Sequence, residues 1–563
     1  MADPIFEAPG PGVWELEQTH MSRPLTRFAF ECFSYGFKRG FMEGSERYGL
    51  TLSHFEPAQV NGFMYMKPVP VGAPPNATGT PPKLVLQILS RLHPELRRRG
   101  RTCQDAFGRK LWFEDLRLWD ETVKPDSIRR NSELQSVNLA ALDDAALVAH
   151  METCRENLKE MCYRHHKFTF QSILPVGTFL GVATEATGMS AGELLVLLKG
   201  SSPISKGSAR KELAELCDVL RAEGVTRASV PGSGPAAMKA LGDRSPAVKA
   251  ALQKYLDVVG HMLTSGYDIA ETVGHEMPDM LLGAIWSTLE SGVKAENDEA
   301  TKAREAEIRS RVPEARRAEF DEALADARKI SRLRDERGVY NDIWGAGVAR
   351  RAVLEMGRRL AAKGGLSKPE HLVEASPSEM VEKLHGKGGP TDAELAARRA
   401  WRTSKNITDA PPWLGAPPSP PPPYQWFPAG LRIGARAVTH AISNVFDPPP
   451  SKTASGALKG IGVSPGVHEG PARVVNGSEQ FDRIQQGDVL VTRNTSAAFN
   501  VVLPLLGAIV TDRGGALSHA AIVAREYGIP GVVSTRTATA DIPDGARVRV
   551  NGDAGTVEII ARP

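Results

Sequence analysis

The sequence predicts a multidomain protein with a largely α-helical N-terminal region and a C-terminal β-rich α/β domain. Three observations carry this. From about residue 82 to 400, Ala, Leu, Glu, Arg and Lys dominate, and apolar residues recur three and four apart, as at Val85, Ile88, Leu89 and Leu92 and at Leu213, Leu216, Val219 and Leu220. That spacing lines one face of a helix. Nine of the nineteen residues 410–428 are proline, a density that neither a helix interior nor a central strand tolerates. After Gly456, Val, Ile, Gly and Thr rise, and short apolar runs alternate with Gly, Asp and Pro, the pattern of strands joined by turns.

The composition bounds the function. A chain of 563 residues holds several domains. Lys and Arg number 69 against 66 Asp and Glu, a net charge of +3, which excludes a dominant basic nucleic-acid surface. Five cysteines occur with no CxxC pair, so neither a disulfide framework nor a structural zinc site is expected, and a reducing cytoplasm fits. Residues Met1–Glu7 lack the basic and apolar parts of a secretion signal. The longest apolar run, Val501–Val510, is about half the ~20 residues a membrane-spanning helix needs. The expectation is a cytoplasmic protein with no membrane or nucleic-acid partner.

In chain order, residues 1–70 are mixed and rich in aromatics (Phe28, Phe30, Phe33, Tyr35, Phe37, Phe41), and Leu25–Gly40 reads as one helix or two short apolar segments. Residues 71–81 form a loop by their Pro, Gly, Asn and Thr content. Helices follow to about 405. Within them, 294–337 is highly charged and thin in apolar residues, and is expected to be a solvated helical arm or hairpin. Residues 406–455 read as a Pro-rich linker, with Leu431–Val445 a short helix inside it. A polyproline spacer of ~20 residues reaches ~60 Å, at ~3 Å per residue. Residues 456–563 form the last domain, with strands at Ala472–Val475, Asp488–Thr492, Ala508–Thr511, Gly531–Ser534, Arg547–Asn551 and Thr556–Ile560 and a helix from His519 to Tyr527.

The chemistry concentrates in 507–530. There a strand is followed by Arg513-Gly514-Gly515 and then by Ser518-His519 opening the helix. Ser518 is a favoured N-cap, which puts His519 in the first turn, where free backbone N–H groups and the helix dipole attract an anion. The same dipole disfavours imidazolium, so the ring is neutral and nucleophilic, and a phosphoryl group carried on it is stabilised. The glycine pair permits a bend and the close approach of a bulky ligand. The Gly460-x-Gly-x-x-x-Gly466 pattern is read as a turn entry to the domain, because it lacks the strand-to-helix junction of a dinucleotide loop.

On these residues the domain resembles the phosphohistidine swivelling domain of phosphoenolpyruvate-utilising enzymes. The resemblance runs from Gly460–Gly466 through Gly470–Val475, Gly487–Val491, Thr511–Glu526 and Gly528–Val533 to Asp544-Gly545 and Asn551-Gly552. It implies that His519 takes up a phosphoryl group and passes it on, supported by Thr511, Arg513, Gly514, Gly515 and Ser518. Asp512 and the stretch Ser496–Phe499 depart from the family pattern, the latter on a docking face. Residues 14–400 resemble the acceptor-substrate region of rifampin phosphotransferases and, more closely, the histidine-bearing subunit of phenylphosphate synthase, on Trp14–Thr26, Leu198–Pro203, Tyr255-Leu-Asp257, Gly266–Ile269, Arg334–Tyr340 and Arg358–Ala361.

The resemblance implies a phosphotransferase subunit. An ATP-grasp partner, binding ATP and Mg²⁺, would charge His519, leaving AMP and phosphate. His519 would then deliver the phosphoryl group to an organic hydroxyl, phenol-like or alcoholic. Neither a glycine-rich phosphate loop followed by Lys-Ser/Thr nor the alternating pattern of a (β/α)₈ barrel is legible before residue 400. The acceptor site is expected among His20, Arg23, Tyr267, Asp268, Arg334 and Arg337, the two arginines sharing a helix face. His165, His166 and His261 are read as structural or surface residues, and no resident metal is expected. Transfer linked to pyruvate and phosphoenolpyruvate, and a non-catalytic phosphocarrier, are the alternative readings.

Overall fold

The computed structural model describes residues 5–291, 299–444, 457–475, 477–495, 499 and 502–563. The chain divides into two compact units. One comprises Met1–Ser172, Gly266–Glu271 and Arg337–Arg436, the other Ile173–Ser265, Thr272–Glu336 and Ala437–Pro563.

The first unit is built on one helix, Arg27–Arg47, which resolves the ambiguous Leu25–Gly40 stretch. Thr26 caps it, accepting from Ala29 N at 3.2 Å. This helix lies directly on the helix Asp144–Lys167: a Cβ at Gly36 would stand 2.4 Å from Tyr163 N, and one at Gly40 2.4 Å from Tyr163 O. Only glycine allows that approach. Beside the glycine row, Phe33 stacks on Phe37, Phe37 meets Phe55 and His166, and Phe41 meets Phe170. A helix Trp344–Ala362 completes the bundle.

Beside it stands a four-stranded antiparallel sheet not legible in the mixed composition of 1–70. Its strands are β1 (Val13–Leu16), β2 (Leu52–Val60), β3 (Phe63–Pro70) and β4 (Trp413–Gly415), in the order β2-β3-β1-β4. Strands β2 and β3 form a hairpin around Asn61-Gly62, both with positive φ, as a two-residue turn requires.

The proline tract is docked rather than free. Strand β4 pairs with β1. Pro411 and Pro412 cannot donate, but their carbonyls accept from Tyr65 Oη at 2.8 Å and Leu16 N at 3.0 Å. Phe427 and Leu431 are buried with Leu86 and Leu96, and a helix runs from Ala429 to Ile442. The apolar residues set among the prolines give the tract a surface to bury, which overrides the extended spacer expected of it. Residues 445–456, with prolines 448–450, lie outside the described residues. The helix Lys83–Leu92 forms where its spacing predicts, but Leu84, Val85, Ile88, Leu89 and Leu92 on it are exposed.

In the second unit the charged 294–337 segment is a helical hairpin, Glu299–Arg311 and Arg317–Ser331. It is not a solvated arm. Ile308, Val312, Phe320, Leu324 and Ala327 are buried in one core with Phe179, Leu180, Leu194 and Leu197. Its large apolar residues fall on the buried face, and charges pair on the exposed one, as in Arg309 with Asp321 and Arg311 with Glu307.

The same unit holds an eight-stranded mixed sheet: β5 (Leu458–Lys459), β6 (Ile461–Ser464), β7 (Val467–Val474), β8 (Asp488–Thr492), β9 (Leu506–Thr511), β10 (Gly531–Val533), β11 (Arg547–Asn551) and β12 (Thr556–Ala561). Its order is β5-β12-β11-β7-β8-β9-β10-β6, parallel from β7 to β10. The central strands are apolar on both faces. Val489, Val491, Ala508 and Val510 face one core. Leu490 and Ile509 face the other, together with Ala520, Ala521, Val523 and Ala524 of the helix His519–Tyr527 and the apolar residues of the helical hairpin. All five cysteines are buried and unpaired, and among the described residues no helix is long and apolar enough to cross a membrane.

Candidate functional site: a buried histidine at a helix N-terminus

His519 is the first residue of its helix, at the C-terminal end of β9. Ser518 is the N-cap, its hydroxyl accepting from Ala521 N, and Ser518 N donates to Gly515 O at 2.9 Å. Gly514 has φ +106°, and a Cβ there would stand 2.8 Å from Ser518 Cβ, so the bend before the cap needs glycine. Thr511 is fully buried, its hydroxyl donating to Arg513 O at 2.8 Å. Asp512 anchors the loop from behind, accepting from Thr539 N and Oγ1.

The imidazole is held at one nitrogen. Nδ1 lies 2.9 Å from Thr495 Oγ1, while Nε2 is buried without a hydrogen-bond partner. In the neutral ring one nitrogen bears the proton. With Nδ1–H directed at Thr495, Nε2 presents its lone pair. Burial pushes the His519 pKa down to about 4; the Asp335 charge works against this and the Arg334 charge with it. The ring is therefore neutral at neutral pH and ready to act as a nucleophile.

The residues around it are tied down. Asp335 accepts from Ser202 Oγ at 2.7 Å. The Glu526 carboxylate accepts from Gly200 N at 3.0 Å and Ser202 N at 3.3 Å. Arg525, buried in the same helix, donates to Ala516 O at 2.9 Å and Val463 O at 3.3 Å, and burial pushes its pKa down to about 10. The segment Leu198–Pro203 is thus fastened to the helix that carries His519.

The first unit contains a separate cluster. His165 and His166, in the last turn of the helix Asp144–Lys167, stack with ring centroids 4.5 Å apart. His165 Nδ1 lies 2.7 Å from Asp342 Oδ2. Asp342 sits in a π-helical turn, Val339–Ile343, a distortion frequent at functional sites. Burial pushes its carboxyl up to about 8, against the pull of Arg337. Burial likewise holds His166 well below the usual imidazole range, aided by the charges of His165, Arg337 and His20. Arg337 donates to His165 O at 2.9 Å and Thr169 Oγ1 at 3.0 Å. Tyr267 lies edge-on to both His165 and His20, with centroids 6.5 and 6.2 Å away. His20 is exposed and pairs with buried Glu17 at 3.0 Å. Burial raises the Glu17 pKa, but His20 and the backbone amides outweigh it and hold the carboxyl below its usual range.

Residues 484–555 match the family model of the PEP-utilising enzyme, mobile domain, and residues 168–335 match that of the rifampicin phosphotransferase fourth domain. Over these two segments the chain is similar to enzymes of the phosphoenolpyruvate-utilising family. It is 28% identical over 318 residues to the uncharacterized phosphotransferase YvkC of Bacillus subtilis (strain 168), covering 55% of this chain and 36% of that protein. It is 29% identical over 327 residues to a rifampicin phosphotransferase of Streptomyces sviceus, covering 55% and 34%. A probable phosphoenolpyruvate synthase of Archaeoglobus fulgidus is 43% identical over 100 residues, 18% of this chain and 13% of that protein. The chain thus spans about a third or less of the length of these relatives.

His519 and its supporting loop therefore lie in the mobile domain. The region matching the fourth domain contributes Arg334 and Asp335 to its surroundings. Of the residues expected at an acceptor site, His20, Tyr267 and Arg337 gather around His165, His166 and Asp342. Arg334 and Arg337 lie three apart on one helix, Leu333–Gly338, but the Arg334 charge acts on His519 of the second unit. Asp268 is structural, since both its oxygens accept from Thr26, at 2.7 and 2.8 Å, and so pin the cap of the Arg27–Arg47 helix. Arg23 is half-buried, with no contact that ties it to either cluster. Sequence reasoning passed over Thr495, Asp335 and Asp342. The single signal for Asp342 is the His165-His166 pair, which names no partner.

Proposed function

We propose that this chain is the phosphohistidine-bearing part of a dikinase-type phosphotransferase. An ATP-grasp partner charges His519 from ATP, releasing AMP and phosphate, and His519 delivers the phosphoryl group to a small organic hydroxyl. The observation that carries the reading is the asymmetry of the His519 ring, with Nδ1 engaged by Thr495 and Nε2 buried without a partner at a helix N-terminus suited to an anion. The N–P bond forms at Nε2. In the second step it breaks, the acceptor oxygen takes the phosphorus, and the hydroxyl proton passes to a base at the acceptor.

ATP and Mg²⁺ are assigned to the partner. The carboxylates beside His519 fit that assignment, because Asp335 and Glu526 already accept from Ser202, Ser205 and the amides of Gly200 and Ser202. His20, Tyr267 and Arg337 are offered as acceptor-site residues.

The test mixes the full chain with a candidate ATP-grasp protein and ATP labelled at the β-phosphate. Acid-labile label should appear on the chain and vanish in H519A. Label that never appears, or that persists in H519A, overturns the proposal. Chasing the charged chain with pyruvate or with phenols and alcohols separates the two classes of acceptor.

A further inference from the structure

We propose that His165, His166 and Asp342 form a binding site for one divalent transition-metal ion of the zinc class. The site lies wholly within the first unit and does not depend on the route of the phosphoryl group.

One ligand atom from each residue lies within 4.8 Å of the other two, and His165 Nδ1 stands 2.7 Å from Asp342 Oδ2. Zinc bonds to imidazole and carboxylate are ~2.0–2.2 Å, which sets donor atoms ~3–3.5 Å apart. Small side-chain rotations bring this set to that spacing.

The donors need an ion for a second reason. Asp342 is 3% exposed and His166 8%; His166 Nε2 has no hydrogen-bond partner, and the buried Asp342 carboxylate is met by the backbone amides of Asp342 and Ile343 and by His165. Buried polar atoms are almost always satisfied. A proton shared between His165 and Asp342 would leave His166 Nε2 unsatisfied. One cation held by the Asp342 carboxylate and both imidazoles satisfies it.

The backbone holds the set in place. Adjacent histidines on a regular helix diverge by ~100° per residue, but here their rings stack within 24° of parallel. The Gly36 and Gly40 contacts press a second helix against the turn that carries them, and the π-helical turn brings Asp342 up to them. Phe33 and Phe37 wall the His166 side, edge to face at 5.1 and 4.6 Å, as the apolar shell of a metal site does. The Asp342 charge offsets that of Arg337, whose guanidinium is directed to His165 O and Thr169. Two imidazoles and one carboxylate favour zinc, cobalt, iron or manganese over magnesium or calcium. Three protein donors leave at least one coordination position open.

The test titrates the full chain, stripped with a chelator, with Co²⁺ and Zn²⁺. One equivalent of Co²⁺ should bind with visible absorption bands and be displaced by Zn²⁺, and Zn²⁺ should raise the melting temperature. D342N and H166Q should each weaken Zn²⁺ binding by ~100-fold or more, beyond the 10–100-fold of outer-shell changes, and abolish the thermal shift. The absence of a saturable Co²⁺ site in the wild-type chain overturns the proposal, as does binding unchanged in both variants. If one variant fails to fold by circular dichroism, the other and the wild-type cobalt spectrum still decide.

Discussion

Thr495 Oγ1 sits 2.9 Å from Nδ1 of His519, on the opposite edge of the ring from the buried, unpartnered Nε2. This contact chooses the nucleophilic nitrogen. Replacing Thr495 by Val keeps the volume and removes the hydroxyl, so both tautomers become populated and the ring is free to turn. Phosphorylation of T495V should slow by roughly fivefold, as a lost hydrogen bond worth ~1 kcal/mol implies, and T495S should recover most of the rate. Single-turnover labelling measures both, and equal rates for T495V and the wild type would remove Thr495 from the mechanism.

The depressed pKa of His519 has a sign that can be checked. With the folded value at about 4 and an ordinary value near 6.5, the unfolded chain binds the proton first. His519 therefore costs stability as pH falls from about 6.5 toward 4, while its neutral, nucleophilic form persists across that window. The phosphorylation rate should lose its acid limb near pH 4 rather than near 6.5. Arg334 depresses the pKa and Asp335 raises it, so R334Q should move the limb upward and D335N downward. Histidine ¹⁵N chemical shifts titrated on the folded chain give the same values independently of rate.

The surroundings of His519 within its own loop and helix are legible in the sequence because they are local. Thr511 to Glu526 form one strand-turn-helix unit whose glycines, N-cap and histidine stand within sixteen consecutive residues. The contacts beyond that unit are not, because Thr495, Asp335 and the Gly200–Ser202 amides arrive from distant segments. The same holds for Asp342, which reaches His165 from 177 residues away through a π-helical turn that no local propensity announces. In the charged hairpin, composition points to solvent while the face on which Ile308, Phe320 and Leu324 fall points to the core. The proline tract follows the same rule: Leu414, Phe427 and Leu431 are as visible in the sequence as the prolines, and they are what is buried. By contrast, the β2–β3 hairpin carries its own signal, an Asn-Gly pair between alternating strands, which the aromatic-rich composition of 1–70 obscured.

The glycine row on the Arg27–Arg47 helix is open to a direct test. At Gly40 a Cβ would stand 2.4 Å from Tyr163 O and 2.6 Å from Lys167 N, and these are backbone atoms that cannot rotate away. G40A must push the two helices apart, at a cost of about 1–3 kcal/mol or more, the range for overpacking. That outweighs the ~1 kcal/mol that alanine gains over glycine in a helix. A substitution that raises helix propensity should therefore lower the melting temperature. By contrast, G108A, at a position where a Cβ meets nothing within 4 Å, should leave it nearly unchanged. Equal melting temperatures for G40A and the wild type would mean that the helices do not touch there.

Glu526 offers a way to loosen the mobile domain without touching His519. Its carboxylate accepts from Gly200 N at 3.0 Å and from Ser202 N at 3.3 Å, and hydrogen bonds to a buried charged group count for more than neutral ones. E526Q keeps the shape and loses the charge, so the amides of Gly200 and Ser202 should exchange with solvent faster, by roughly tenfold for each ~1.4 kcal/mol lost. A carrier that must leave this contact to be charged should then gain in the rate of phosphorylation and lose in the protection of His519 from a histidine-modifying reagent. Faster exchange at 199–203 with no change in His519 reactivity would show that this contact fastens the loop alone and does not hold the domain.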